Sequence, residues 1–147
     1  MNRRIFHIAT VLLWLALPLT ALQYTQVWNQ LPVHVATHFN AAGQANGWMS
    51  RERALQFGVG FVAILLLIFT ALLLFVARVQ IDFFSWAILV FCALVVGLMV
   101  EVNASIVNYS LHGTALELGG VLMAVPIAVV MLIVIYLFAR RGLALRS

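Results

Sequence analysis

Residues 54–77 read ALQFGVGFVAILLLIFTALLLFVA, 24 positions with no charged side chain, bounded by Arg53 and Arg78. Wound as an α-helix this run is roughly 36 Å long, enough to cross a hydrocarbon core of about 30 Å. Backbone N–H and C=O groups in lipid must be satisfied internally, which a helix does alone. A barrel strand would alternate apolar and polar residues, and this run is continuous.

Working outward, three more segments of similar length and character appear, at 5–24, 81–102 and 116–139. The rest of the chain agrees with them. Hydrophobic residues make up 65% and charged residues 8%, against roughly 45–50% and about 25% in an ordinary soluble domain. A soluble fold of 147 residues has too little interior to hide that much apolar surface. The expected architecture is therefore all-α: a polytopic membrane protein, one domain over 1–147, built as an antiparallel four-transmembrane-helix bundle. An ordered extracytoplasmic loop, residues 31–50, joins the first two helices.

Arginine placement orients the bundle, and the chain contains no lysine. With the N-terminus inside, Arg3, Arg4, Arg78, Arg140, Arg141 and Arg146 are cytoplasmic, leaving Arg51 and Arg53 outside. That satisfies the positive-inside rule and puts both termini on the cytoplasmic face of the cell (inner) membrane. The net charge of +4 is spread over segment ends rather than gathered on one face, so nucleic acid is not an expected partner. Cys92 is the lone cysteine, which excludes an internal disulfide or a paired-cysteine metal site.

Arg3 and Arg4 before an apolar run also fit the start of a cleaved signal, and Arg3-Arg4-Ile5-Phe6 is close to a twin-arginine leader. No small-x-small cleavage site follows and three more spans do, so the segment is expected to stay as an anchor. Pro18 should kink this first span by freeing the carbonyl one turn earlier. Gln23, Gln26 and Gln30 share one face if the helix continues outward, and Leu31-Pro32 should end it. Ser50 is the expected N-cap of the second span, with Glu52 in its first turn. The link around Arg78–Asp82 is short enough to make spans two and three an antiparallel hairpin. Gly58, Gly60 and Gly97 are candidates for close helix contacts. Trp28, Trp48, Tyr24 and Tyr109 fall where an aromatic belt is expected.

The outer loop contains Leu31-Pro32, Thr37-His38-Phe39, Gly43, Gly47-Trp48 and Ser50 in that order. In residues, spacing and position after a first span it resembles the bacterial membrane family called domain of unknown function 1648. That domain also forms the front part of SdpI-type immunity proteins, which protect a cell from a secreted killing factor. The family pattern has prolines where this chain has Ala36 and Ala45, an aspartate at Asn46 and a lysine at Arg51. SdpI-type proteins also continue beyond four spans. The resemblance implies a sensor or immunity-like module binding a secreted peptide, a lipid or a membrane partner protein at its outer face. It singles out Pro32, His38, Phe39, Gly43, Asn46 and Trp48 as binding or loop-ordering residues, with His38, Phe39 and Trp48 capping the loop onto the bundle.

A second reading is a metal-binding protein or metal-dependent membrane enzyme. His34 and His38 would share one face of a helix, although Val35 stands where a zincin has its glutamate. Glu101, Ser105, Asn108 and His112 make one polar stripe on an extended third helix ended by Gly113, with Asn103 opposite. His34, His38, Glu101, His112 and Glu117 are thereby candidate ligands for a divalent metal such as zinc, and Glu101 is a candidate buried proton site. The plainer alternatives are that His38 orders the loop through backbone hydrogen bonds and that the stripe is a water-facing helix end. Asn103 and Asn108 open Asn-x-Ser sequons, in a stretch expected to be helical. A transporter role would need a homo-oligomer, since four helices are few for a pathway. No phosphate loop, nucleophile elbow or dinucleotide fingerprint is present, and no catalytic residue is assigned.

Overall fold

The structure is a computed structural model and describes residues 3–40 and 42–113. The expected fourth span at 116–139 lies outside the described residues, together with Glu117, Arg140, Arg141 and Arg146. Within them the order is α1 (Arg3–Leu12), a 3-10 turn (Leu13–Leu15), α2 (Ala16–Thr25), β1 (His34–Phe39), β2 (Ala45–Ser50), α3 (Arg51–Val79) and α4 (Phe83–His112). Three helices are long and apolar enough to cross a membrane: Arg3–Thr25, Arg51–Val79 and Phe83–His112, of 23, 29 and 30 residues. No more than 22% of the apolar window of any of them is buried. Many of the other side chains, including Ile8, Leu15, Phe57, Ile64, Leu67 and Phe75, are exposed. Such a surface calls for a bilayer as its solvent.

Each helix buries a narrow stripe at helical spacing. On α3 it is Ala54, Gly58, Val62, Leu66, Leu73 and Ala77; on α4 it is Ser85, Leu89, Cys92, Val96, Asn103 and Val107. Facing them are Phe6 and Thr10 of α1 and Ala16, Thr20 and Tyr24 of α2. The stripes meet in three stacked layers. Phe6, Leu73, Ala77, Leu89 and Cys92 close one end, with Trp86 edge-on to Phe6 at 5.3 Å. Ala16, Val62, Leu66 and Val96 form the middle. Tyr24, Leu31, Val35, Ala54 and Val107 form the other end.

The expected irregularity at Pro18 appears as the 3-10 turn at Leu13–Leu15, the tighter winding that absorbs a missing helical hydrogen bond. Beside it the Trp14 indole donates to Thr70 Oγ1 at 3.0 Å, tying the bend to α3. Past Thr25 hydrogen-bonded turns continue to Leu31, whose N–H reaches Val27 O at 3.0 Å. Pro32 then follows. Ser50 caps α3, accepting from the Arg53 N–H. Asp82 and Ser85 form a reciprocal capping box on α4, and Gly113 ends it in the left-handed conformation at φ 64°.

The ordered connection expected at 31–50 contains a β-hairpin: β1 and β2 pair antiparallel, and residues 34–39 are extended rather than helical. Val33, Val35 and Thr37 are β-branched and favour the extended chain, and Pro32 removes the N–H that a helix would need further in.

Candidate functional site

The hairpin is the part of the molecule that carries the sequence motif, and its geometry explains the motif residue by residue. Its register runs His34↔Ser50, Val35↔Met49 and Ala36↔Trp48, then His38↔Gly47 and Phe39↔Ala45. Thr37 is thus an extra residue on β1 and Asn46 an extra residue on β2, so two consecutive bulges cancel and the register resumes. Bulges bend a strand and re-aim its side chains. Here they bring the His38 ring against Asn46, where Nδ1–H donates to the Asn46 side-chain oxygen across the strands. An amide cannot take up a proton, so this pair is a clasp and not a proton relay.

Gly47 lies opposite His38 and has a specific reason to be glycine. A Cβ there would stand 2.7 Å from the His38 Cβ, closer than two carbon atoms pack. Gly43 is the turn residue, at φ 73°, a conformation that side chains other than glycine's disfavour. Asn40 organises the turn: its side-chain oxygen accepts from Ala42 N–H at 3.0 Å and Gln44 N–H at 2.9 Å. Its backbone N–H donates to Gln44 O.

Docking onto the bundle uses residues that the motif did not single out. Val35 and Ala36 are wholly buried, and Val35 packs in the same layer as Tyr24, Leu31, Ala54 and Val107. The Ala36 N–H donates to Ser110 Oγ at 3.3 Å and the Ala45 N–H to the Tyr109 hydroxyl at 3.4 Å. Phe39 meets the Tyr109 ring edge-on at 4.9 Å. Of the three residues expected to cap the loop, only Phe39 packs against α4. His38 is exposed and Trp48 is 55% exposed, because Met49 takes the inward position beside Val35 and neighbouring strand residues point to opposite faces.

Arg51 locks the base of the hairpin. Its guanidinium donates to Trp28 O at 3.0 Å and Leu31 O at 3.4 Å, lies 4.9 Å over the Trp28 ring, and pairs with Glu52. Its own N–H donates to Val33 O at 3.1 Å. A planar fork suits two carbonyls and a ring face at once, which the motif's lysine would not match. Tyr24, Tyr109 and Trp28 are therefore packing residues, and only Trp48 of the expected aromatic belt stands clear of the protein.

The interior polar site also differs from the expected one. Glu101, Asn108 and His112 are exposed and Ser105 is partly so; His112 Nδ1–H simply donates to Asn108 O. Asn103, on the opposite side, is the buried residue. Its side-chain oxygen accepts from the Tyr24 hydroxyl at 2.9 Å, and its amide donates to Met99 O at 2.8 Å. Gly58 makes the room: a Cβ there would overlap the Asn103 side-chain oxygen. One residue from each of α2, α3 and α4 thus meets at a single level. Gly60 and Gly97, by contrast, have open space where a Cβ would go. Next to this level the Gln23 amide donates to Val100 O at 3.2 Å. The missed signal was positional, since Asn103 lies on the same stripe as Val96 and Val107, where a polar residue must be buried. Burial also removes Asn103 as a sequon acceptor.

Among the described residues no three of His, Cys, Asp and Glu come together as a metal site. His34 and His38 lie on a strand, and Glu101 and His112 on the exposed side of α4. Glu117 is outside the described residues.

The motif reading agrees with a family comparison. Residues 7–69 match the model of a family described as a domain of unknown function, DUF1648. Over that stretch the chain is similar to DUF1648. The match opens in α1, takes in the whole hairpin with its Gly43, Gly47 and His38, and closes within α3. The DUF1648 segment therefore includes the hairpin, Arg51, Tyr24 and Gly58, while Asn103, Tyr109 and Ser110, which receive them, lie beyond it on α4. No curated protein and no solved structure matches the chain.

Proposed function

We propose that the protein is a non-enzymatic membrane module of the sensor or immunity-like kind, a single domain over 1–147 in a bacterial cell membrane. Its DUF1648 hairpin, held on the extracytoplasmic side, is the binding face for a secreted peptide or a membrane partner protein. One observation carries this reading: the hairpin is anchored through Val35, Ala36, Phe39, Ala45, Met49 and Arg51, which leaves His34, His38, Asn46 and Trp48 exposed. An exposed tryptophan that packing does not use is the residue type that most often anchors a protein contact. The His38–Asn46 clasp, whose second member is an amide, supports recognition over acid–base chemistry. Orientation follows the arginines: Arg3, Arg4 and Arg78 lie at the end away from the hairpin, and Arg51 beside it is consumed in packing.

The test is a photo-crosslinking amino acid at position 48 in living cells, with the same probe at the lipid-facing Phe75 as a control. A discrete adduct at 48, absent at 75 and lost on His38→Ala, is expected. No adduct at 48, or the same adducts at both positions, would overturn the reading. Labelling of Trp48→Cys by a membrane-impermeant maleimide on intact cells tests the side, and protection from the reagent would reverse the topology.

A further inference from the structure

At the end of the bundle away from the hairpin, α1 and α3 leave a groove between them. It has a volume of about 260 Å³ and is lined by Arg3 and His7 on one wall and Leu74, Ala77 and Arg78 on the other. Spacings of four residues, Arg3 to His7 and Leu74 to Arg78, stack each pair on the helix face that looks into the groove. Two guanidinium groups and an imidazole therefore converge from two helices on one opening.

Among the described residues no acid pairs with them. Among the described residues the only ion pair is Arg51–Glu52 at the far end. The one described acid at the near end, Asp82, is engaged by the Ser85 N–H at 3.0 Å and the Ser85 hydroxyl at 3.1 Å. Below the cations the groove is apolar, through Leu74 and Ala77, and it is flanked by exposed Ile8, Phe75 and Val79. Cations at the rim and an apolar floor match a molecule with an anionic head and an alkyl body.

We propose that this groove binds one anionic glycerophospholipid, its phosphate held between Arg3 and Arg78 with His7 as a further donor and its acyl chains along Leu74 and Phe75. Basic pockets between membrane helices are suited to such headgroups, and guanidinium groups bind phosphate oxygens in pairs. Arg4, adjacent in sequence but not part of the groove, supplies a control of equal charge.

The experiment uses the full chain in a neutral detergent, with retained phosphatidylglycerol or phosphatidylcholine counted by native mass spectrometry. One phosphatidylglycerol should be retained in preference to phosphatidylcholine. Arg3→Gln with Arg78→Gln should weaken retention about 25-fold, near fivefold for each arginine, while Arg4→Gln should change it less than twofold. Arg3→Lys with Arg78→Lys keeps both charges in place, guards against a folding defect, and should retain most of the binding. Equal loss in Arg4→Gln would mean diffuse attraction and overturn the site. Inorganic phosphate displacing the lipid at millimolar concentration would overturn the lipid assignment in favour of a free anion. Unchanged retention in the double glutamine variant would refute the proposal outright.

Discussion

Replacing Gly58 by alanine adds one methyl group at the level where α2, α3 and α4 meet. That methyl would overlap the Asn103 side-chain oxygen and lie 3.4 Å from the Tyr24 hydroxyl. Asn103 must move, which breaks its 2.9 Å bond with Tyr24 and leaves two polar groups without a partner in an apolar interior. Unpairing a buried group costs about 1–3 kcal/mol, and forcing a methyl into a packed core about 1–3 kcal/mol more. Alanine returns about 1 kcal/mol over glycine through helix propensity. The net expectation is a destabilisation of about 1–5 kcal/mol. Gly60→Ala is the internal control: it sits half a turn away on the same helix with nothing within 4 Å of its Cβ position, so only the favourable propensity term remains. Unfolding in mixed micelles by a denaturing detergent, followed by tryptophan fluorescence and circular dichroism, measures both. Asn103→Ala removes the overlapping oxygen, so Gly58→Ala in that background should cost less than about 1 kcal/mol further. If Gly58→Ala and Gly60→Ala behave alike, the three-helix junction is not where the structure puts it.

The hairpin gives a parallel case. Gly47→Ala pushes a methyl onto the His38 Cβ, so the paired strands must separate there. Limited proteolysis should cut within residues 40–48 at least tenfold faster than in the wild type, with the helical signal unchanged. Arg51→Lys keeps the charge but cannot serve both carbonyls and the Trp28 ring together. It should cost about 1–2 kcal/mol, read as a lower detergent-unfolding midpoint, with Arg51→Ala at least as damaging. Equal stability of the lysine variant would show that only the charge matters.

What could be read from the chain before its structure was the part set by local chemistry. The uninterrupted run 54–77 makes α3 long and apolar enough to cross a membrane whatever it packs against. Ser50 and Gly113 act on their own backbone neighbours, so the helix ends they mark lie where expected, whereas α2 already ends at Thr25 and only turns reach Leu31 before Pro32. The motif around His38 was legible for the same reason: its spacing is a property of the chain, and the DUF1648 match over 7–69 restates it.

The candidate site was less legible. His34 and His38 share a face only in a helix, and β-branched neighbours with a pair of cancelling bulges made a hairpin instead. Four polar residues share one face of α4, yet number on a face does not decide which face turns inward. Asn103 went inward because Gly58 and Tyr24 meet it from other helices, 45 and 79 positions earlier in the chain. Composition and spacing alone thus determined that this is a bundle of membrane-length helices joined by a motif-bearing connection. Which polar residue is buried, which side of the hairpin stays open, and which arginines share a groove were decided by tertiary packing. Each is a contact between segments distant in sequence, and no local rule contains the partner.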